Sequence, residues 1–203
     1  MSGSMIAPPA ARIEPDARGA GPLLALDRMT CARGGRLLFD QFTLTIAAGE
    51  AVHVTGANGC GKSSLLRLAG GLLAPASGTI ERGSVALADE ALALDRERTL
   101  GDALSFWGAE AGMAALGIGR LAHVPVRLLS TGQARRARLA RVVASEAALW
   151  LLDEPLNGLD KDGVALLGIA IARHRVVGGG VLAASHVALD GNWREVALTC
   201  SAR

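Results

Sequence analysis

The residues best placed to do chemistry together are Gly56-Ala57-Asn58-Gly59-Cys60-Gly61-Lys62-Ser63, which satisfy the pattern GxxxxGK[ST] in full. They follow a short apolar run and open a helical one. Glycines let the backbone curl until successive N–H groups face one point, and such a nest holds phosphate oxygens. The helix that follows, Ser63-Ser64-Leu65-Leu66-Arg67-Leu68 in pattern, turns its positive end toward the same anion, with Ser64 in its first turn. Lys62 supplies an ammonium for the β- and γ-phosphates, and the Ser63 hydroxyl is a ligand for Mg2+. The chain uses 19 Arg but only two Lys, Lys62 and Lys161. A compact point charge is thus kept at the loop in a chain that otherwise prefers guanidinium. A chance Gly-rich turn with these four fixed positions is expected in roughly one chain of this length in a hundred, and the strand–loop–helix context makes it rarer.

A second constellation is Leu149-Trp150-Leu151-Leu152-Asp153-Glu154-Pro155, an apolar strand ending in two carboxylates. Asp153 can hold Mg2+ directly or through water. Glu154, one residue on, is suited to orient or deprotonate an attacking water. Alone, an Asp-Glu pair after a strand reads as a solvated turn; beside a phosphate loop it reads as a hydrolytic centre. A third is Leu129-Ser130-Thr131-Gly132-Gln133, ahead of a helix carrying Arg135, Arg136, Arg138 and Arg141. In isolation Ser130 is a helix N-cap and the arginines are a solvated face. His186, after Ala184-Ser185, stands at the end of another short apolar run.

Strand patterns cover Leu23–Leu26, Phe42–Ile46 and Ala51–Thr55, then two short strands around Gly83 within 78–88. Residues from Thr99 to about Ala147 read mostly as helix, Ala148–Leu152 as a strand, 161–176 as a helix, and Val181–Ala184 and Glu195–Leu198 as strands. Strands alternating with helices predict an α/β fold with a partly parallel sheet. Residues 1–21, rich in Ala, Pro, Gly and Arg, read as a flexible tail, and 22–203 as a single domain.

The 203 residues suffice for one domain with a substantial core, and six aromatic residues leave that core to Leu, Val, Ile and Ala. A net charge of +2 gives no case for nucleic acid. Cys31, Cys60 and Cys200 lie far apart with no CxxC pair, which suggests no metal site and fits a reducing compartment. No run approaches a membrane span, so a membrane role must come through a partner.

Taken together and in this order, these elements resemble the ATP-binding cassette (ABC) family over about residues 23–199. Gly56–Ser63 is similar to its Walker A loop, and Leu129–Gln133 to its LSGGQ signature with Thr131 in place of the first Gly. Leu149–Glu154 is similar to Walker B with the catalytic carboxylate, Asn157-Gly158-Leu159-Asp160 to the D-loop, and His186 to the switch histidine. The resemblance implies a P-loop ATPase fold: a mixed sheet core over 22–88 and 148–203, a compact helical subdomain over about 89–147, and a small antiparallel β subdomain. It implies ATP and Mg2+ as ligands, with Ser63 and Asp153 on the metal and Lys62, Glu154 and His186 at the reaction. It also implies a head-to-tail homodimer in which Ser130, Thr131, Gly132, Gln133 and Asp160 of one subunit reach the nucleotide held by the other.

Two features depart from the family. No Gln lies between the strand near Val85 and Thr99, where Asp89-Glu90-Ala91 puts Ala91 at the Q-loop position. Glu90 could supply a substitute oxygen, so that Glu90→Ala would depress turnover. The adenine-stacking aromatic is absent and Arg33 falls near its place, where a guanidinium can stack on a purine. Cys60, inside the loop, predicts inhibition by thiol-alkylating reagents with protection by ATP.

Small size, Cys31-Ala32-Arg33, Asp102-Ala103-Leu104-Ser105-Phe106-Trp107, Trp150–Pro155 and Asp160-Lys161-Asp162-Gly163 resemble the haem-exporter ATPases of cytochrome c maturation. That branch implies a peripheral subunit on the cytoplasmic face of a bacterial inner membrane. Its partners would be membrane subunits of the CcmB, CcmC and CcmD kinds, with release of haem-loaded chaperone as the outcome. Another small exporter ATPase, or a nucleotide-gated module outside transport, are the alternatives.

Overall fold

The computed structural model describes residues 21–89 and 94–200. Apart from Gly21, the tail expected over 1–21 lies outside these residues, as do Glu90 and Ala91 at the Q-loop position.

The chain opens with a long hairpin, β1 (Leu24–Arg33) and β2 (Arg36–Ile46), and β4 (Ser77–Arg82) pairs antiparallel with the other edge of β1. Both hairpin strands run well beyond the segments predicted from alternation. Arg28, at φ 46°, and register shifts along β1 interrupt the period of two, so the pattern fades while pairing continues. The two residues between the strands are Gly34-Gly35, both at positive φ, as a tight hairpin turn requires.

The main sheet is parallel throughout, in the order β5 (Val85–Ala88), β6 (Leu149–Asp153), β7 (Gly180–Ala184), β3 (Ala51–Thr55) and β8 (Arg194–Ala197). Its central strands are covered on both faces. All five residues of β6 and of β7 are buried, which explains their unbroken apolar sequences. Successive side chains point to opposite faces. Leu149 and Leu151 pack with β1, β2 and α1 (Lys62–Ala69). Trp150 and Leu152 pack with α4 (Thr131–Val143), α5 (Lys161–Val176) and the short helices α2 (Leu100–Leu104) and α3 (Glu110–Ala115). The helical stretch predicted after Thr99 is therefore α2, α3 and α4, interrupted by three single 3-10 turns. The result is a parallel core, an antiparallel sheet on one face and a small helical layer on the other.

Register decides what meets at the sheet's end. Ala184 is opposite Val54 on one side and Asp153 on the other. The chain leaving β3 (the phosphate loop), the chain leaving β6 (Glu154) and the chain leaving β7 (Ser185-His186) thus emerge at one height. This C-terminal edge is where parallel α/β sheets bind ligands.

Candidate nucleotide site

The phosphate loop occupies the turn from β3 into α1. Gly56 sits at φ 148°, and a Cβ there would fall 2.5 Å from the Leu198 carbonyl oxygen and 2.9 Å from Cys60 Sγ, so only glycine fits. Gly61, left-handed at φ 106°, begins α1 without a side-chain cap, and the first-turn N–H groups of that helix are left for an anion. The Lys62 ammonium donates to the Gly56 carbonyl at 2.7 Å and to that of Ala57 at 3.4 Å, which holds it over the loop. Arg33, Leu38, Asn58, Gly59, Gly61, Lys62, Ser63, Ser64 and Glu154 line one cavity of about 450 Å3. Arg33, from the end of β1, therefore shares the phosphate cavity.

Asp153 and Ser63 are joined by a side-chain hydrogen bond. Burial pushes the Asp153 carboxyl above the usual carboxylate range. The Ser63 bond and Arg67 lower it; the nearby Glu154 and Asp89 raise it further. One hydroxyl and one desolvated carboxylate in a negative field suit a Mg2+ that draws its remaining oxygens from phosphate and water. Among the described residues no cluster of three or more His, Cys, Asp or Glu side chains could hold a metal alone.

Glu154 has φ 45°, a left-handed conformation that costs a non-glycine residue about 1–3 kcal/mol. Its N–H donates to the Ala184 carbonyl at 2.8 Å. His186 Nδ1 lies 2.8 Å from Glu154 Oε2. The His186 side chain is 54% exposed and that of Glu154 21%. Lys62, Ser63, Asp153, Glu154 and His186 are thus brought to one edge.

Ser130, Thr131, Gly132, Gln133 and Asp160 are placed elsewhere, and none of them lines the phosphate cavity. Ser130 caps α4: its hydroxyl accepts from the Gln133 N–H at 3.2 Å, and the Gln133 side chain accepts from the Ser130 N–H at 3.0 Å. Because the hydroxyl accepts here, its own proton remains available to an acceptor in front of the helix. A Cβ position on Gly132 lies 3.1 Å from the Gly158 carbonyl oxygen, so this segment and Asn157–Asp160 abut. Asp160 caps α5 by accepting from the Gly163 N–H at 3.0 Å. Arg136 bonds to it and holds its carboxyl below the usual range.

The arginines following Ser130 are not a solvated face, contrary to expectation. Arg135 is 5% exposed, and its Nη2 donates to the main-chain carbonyls of Asp153 at 2.7 Å and of Glu154. Arg136 pairs with Asp160, and Arg141 donates to the Leu87 carbonyl while stacking 4.8 Å over the Trp107 ring. The default that a run of arginines faces water failed because their acceptors come from segments distant in sequence. The same distance hid the buried Asp89–Arg67 pair at 3.2 Å and the bond from His53 Nε2 to the Ser185 carbonyl at 3.1 Å. Cys60, inside the loop, is 1% exposed, burial raises its thiol, and Cys200, the exposed cysteine, lies against it.

A family model described as ABC transporter matches residues 39–157. The chain is 52% identical over 177 residues to the cytochrome c biogenesis ATP-binding export protein CcmA of Sphingopyxis alaskensis, covering 82% of this chain and 91% of that one. It is 54% identical to the protein of the same description from Zymomonas mobilis, covering 82% and 80%. The chain belongs to the ABC transporter family, in its CcmA branch. The ABC ATPase fold is shared with a solved ATP-binding subunit of an ABC transporter, at a TM-score of 0.75, 22% identity and coverage of 81% and 80%. In this ABC protein, Thr131 stands at the first glycine of the signature, and among the described residues no helix is long and apolar enough to cross a membrane.

Proposed function

We propose that this chain hydrolyses ATP as one of two identical subunits clamped head to tail, on the cytoplasmic face of a bacterial membrane complex that exports in cytochrome c biogenesis. The carrying observation is the convergence of Ser63–Asp153 and Glu154–His186 beside the Lys62 loop, on strand ends whose register aligns them.

Lys62, the loop N–H groups from Gly56 to Gly61 and the start of α1 hold the β- and γ-phosphates. Ser63 and Asp153 would hold Mg2+, which neutralises charge on the phosphate oxygens. Glu154 takes a proton from the attacking water, and His186 fixes the direction of its carboxylate. Arg33 offers its guanidinium plane to the purine. Ser130 and Gly132 of the partner present free N–H groups and a helix N-terminus to the γ-phosphate, with Thr131, Gln133 and Asp160 at the same seam. ATP thus bridges two half-sites, and hydrolysis releases them. The membrane subunits are of the CcmB, CcmC and CcmD kinds, and the released cargo is haem-loaded chaperone. No nucleic acid takes part.

Glu154→Gln tests the reading. It is expected to keep ATP affinity, lower turnover by at least about 100-fold and accumulate an ATP-bound dimer, seen by light scattering after size exclusion. Turnover at the wild-type rate, or a dimer that ignores ATP, would discard it. Co-purification of the chain with its membrane subunits, followed by their identification, tests the haem-export part.

A further inference from the structure

The guanidinium of Arg135 is nearly fully buried at the end of β6, yet it is on α4, the helix capped by Ser130. It meets the two consecutive carbonyls of Asp153 and Glu154, just where the Asp153–Ala184 pairing is the last of the β6–β7 register. The next residue, Pro155, has no N–H, and among the described residues the one local donor to these two carbonyls is the Asn157 N–H, 3.2 Å from that of Glu154. Glu154 is held at both ends: its N–H donates to Ala184 on β7, and its carbonyl accepts from the Asn157 N–H and from Arg135 on α4, among the described residues the one donor to it from another element. Its backbone is left-handed, a conformation that persists only where the surroundings over-determine it. That conformation sends the side chain to His186.

We propose that Arg135 is a positioning residue for hydrolysis, clamping the Asp153 and Glu154 carbonyls so that the Glu154 carboxylate keeps its direction. Both bonds leave the one nitrogen Nη2, whose two N–H groups are fixed in the guanidinium plane, whereas the donors of an ammonium rotate on a flexible stem. The clamp also joins two sites. In the dimer, on which this inference rests, the Ser130 end of α4 faces the partner's nucleotide. Arg135, five positions further along the same helix, grips the main-chain carbonyl of the hydrolytic Glu154 of its own subunit. A shift of α4 on closure is thus delivered to Glu154 through one side chain. Arg136, next in sequence, ties α4 to Asp160 and holds the other end of the Asp153–Asp160 segment.

The test is a double-mutant cycle on the full chain assembled with its membrane subunits. Arg135→Gln is expected to lower kcat by about 10- to 100-fold, the cost of a misplaced reacting group. KM and ATP affinity should stay within about two-fold of wild type. Arg135→Lys, which keeps the charge but not the fixed plane of donors, should give an intermediate rate. In a Glu154→Gln background, Arg135→Gln should add nothing, because it acts through the carboxylate already removed. An unchanged kcat in the Arg135 variants, a KM that rises in step, or losses that multiply in the double variant overturns the assignment. If Arg135→Gln does not fold, Arg135→Lys carries the same cycle, and a wild-type rate there is an overturning result. Wild-type turnover in Glu154→Gln alone would instead strike the reading of Glu154.

Discussion

His186 and Glu154, 32 residues apart in sequence, meet through two bonds to one oxygen: the His186 ring Nδ1 at 2.8 Å and its main-chain N–H at 3.4 Å from Glu154 Oε2. A carboxylate oxygen only accepts, so Nδ1 carries the proton of this bond. The histidine thereby fixes the carboxylate's direction without consuming its second oxygen.

This arrangement predicts that His186→Ala lowers kcat by about 10- to 1000-fold with little change in ATP affinity. His186→Gln, which can donate to the same oxygen, should retain more activity than Ala. Steady-state ATPase rates with separately measured nucleotide affinity check it. Equal loss in both variants would show that the donated bond is immaterial.

The cysteines give a second prediction. Cys60 is a buried residue of the phosphate loop, with its thiol raised by burial, whereas the adjacent Cys200 is exposed. Alkylation should therefore label Cys200 first, by roughly ten-fold or more, since burial both suppresses the Cys60 thiolate and shields it from the reagent. Cys200→Ser should remove the fast phase. Peptide mapping by mass spectrometry reads the order, and labelling of Cys60 first would mean that the loop opens far more readily than its packing indicates.

His174 sets an expected pH dependence. Its ring stacks on Trp150 at 4.0 Å, and burial pushes its pKa below the ordinary value, against a smaller raising effect of main-chain bonds at Gly180 and Ala148. The unfolded chain then binds a proton at higher pH than the folded one. The stabilisation is complete above about pH 6.5, the ordinary histidine value, and is lost as pH falls below it. The thermal midpoint should fall by a few degrees between neutral and mildly acidic pH. His174→Phe, which keeps a flat ring against Trp150, should flatten that limb. An unaltered slope in His174→Phe places the sensitivity elsewhere.

The chemistry was legible in the chain because its requirements are local. Eight consecutive residues build an anion nest, the four apolar residues Leu149–Leu152 before Asp153-Glu154 make a buried strand with carboxylates at its end, and Ser130 with Gln133 caps a helix three positions apart. Each follows from short-range backbone geometry, so spacing alone reveals it. The turn at Gly34-Gly35 was local too, but the irregular register of β1 hid the strands that it joins.

Distance and register were not legible. That Gly56, Glu154 and His186 start from one level depends on Ala184 pairing with both Val54 and Asp153 across three separate strands. Whether an arginine faces water or a carbonyl depends on what packs over it. Arg135 finds its acceptors 18 and 19 residues away, and His53 finds Ser185 132 residues away. Types and spacing are written into the chain because one backbone segment can satisfy them by itself. Partners such as these are chosen only when the sheet closes and the buried donors and acceptors must be matched across it.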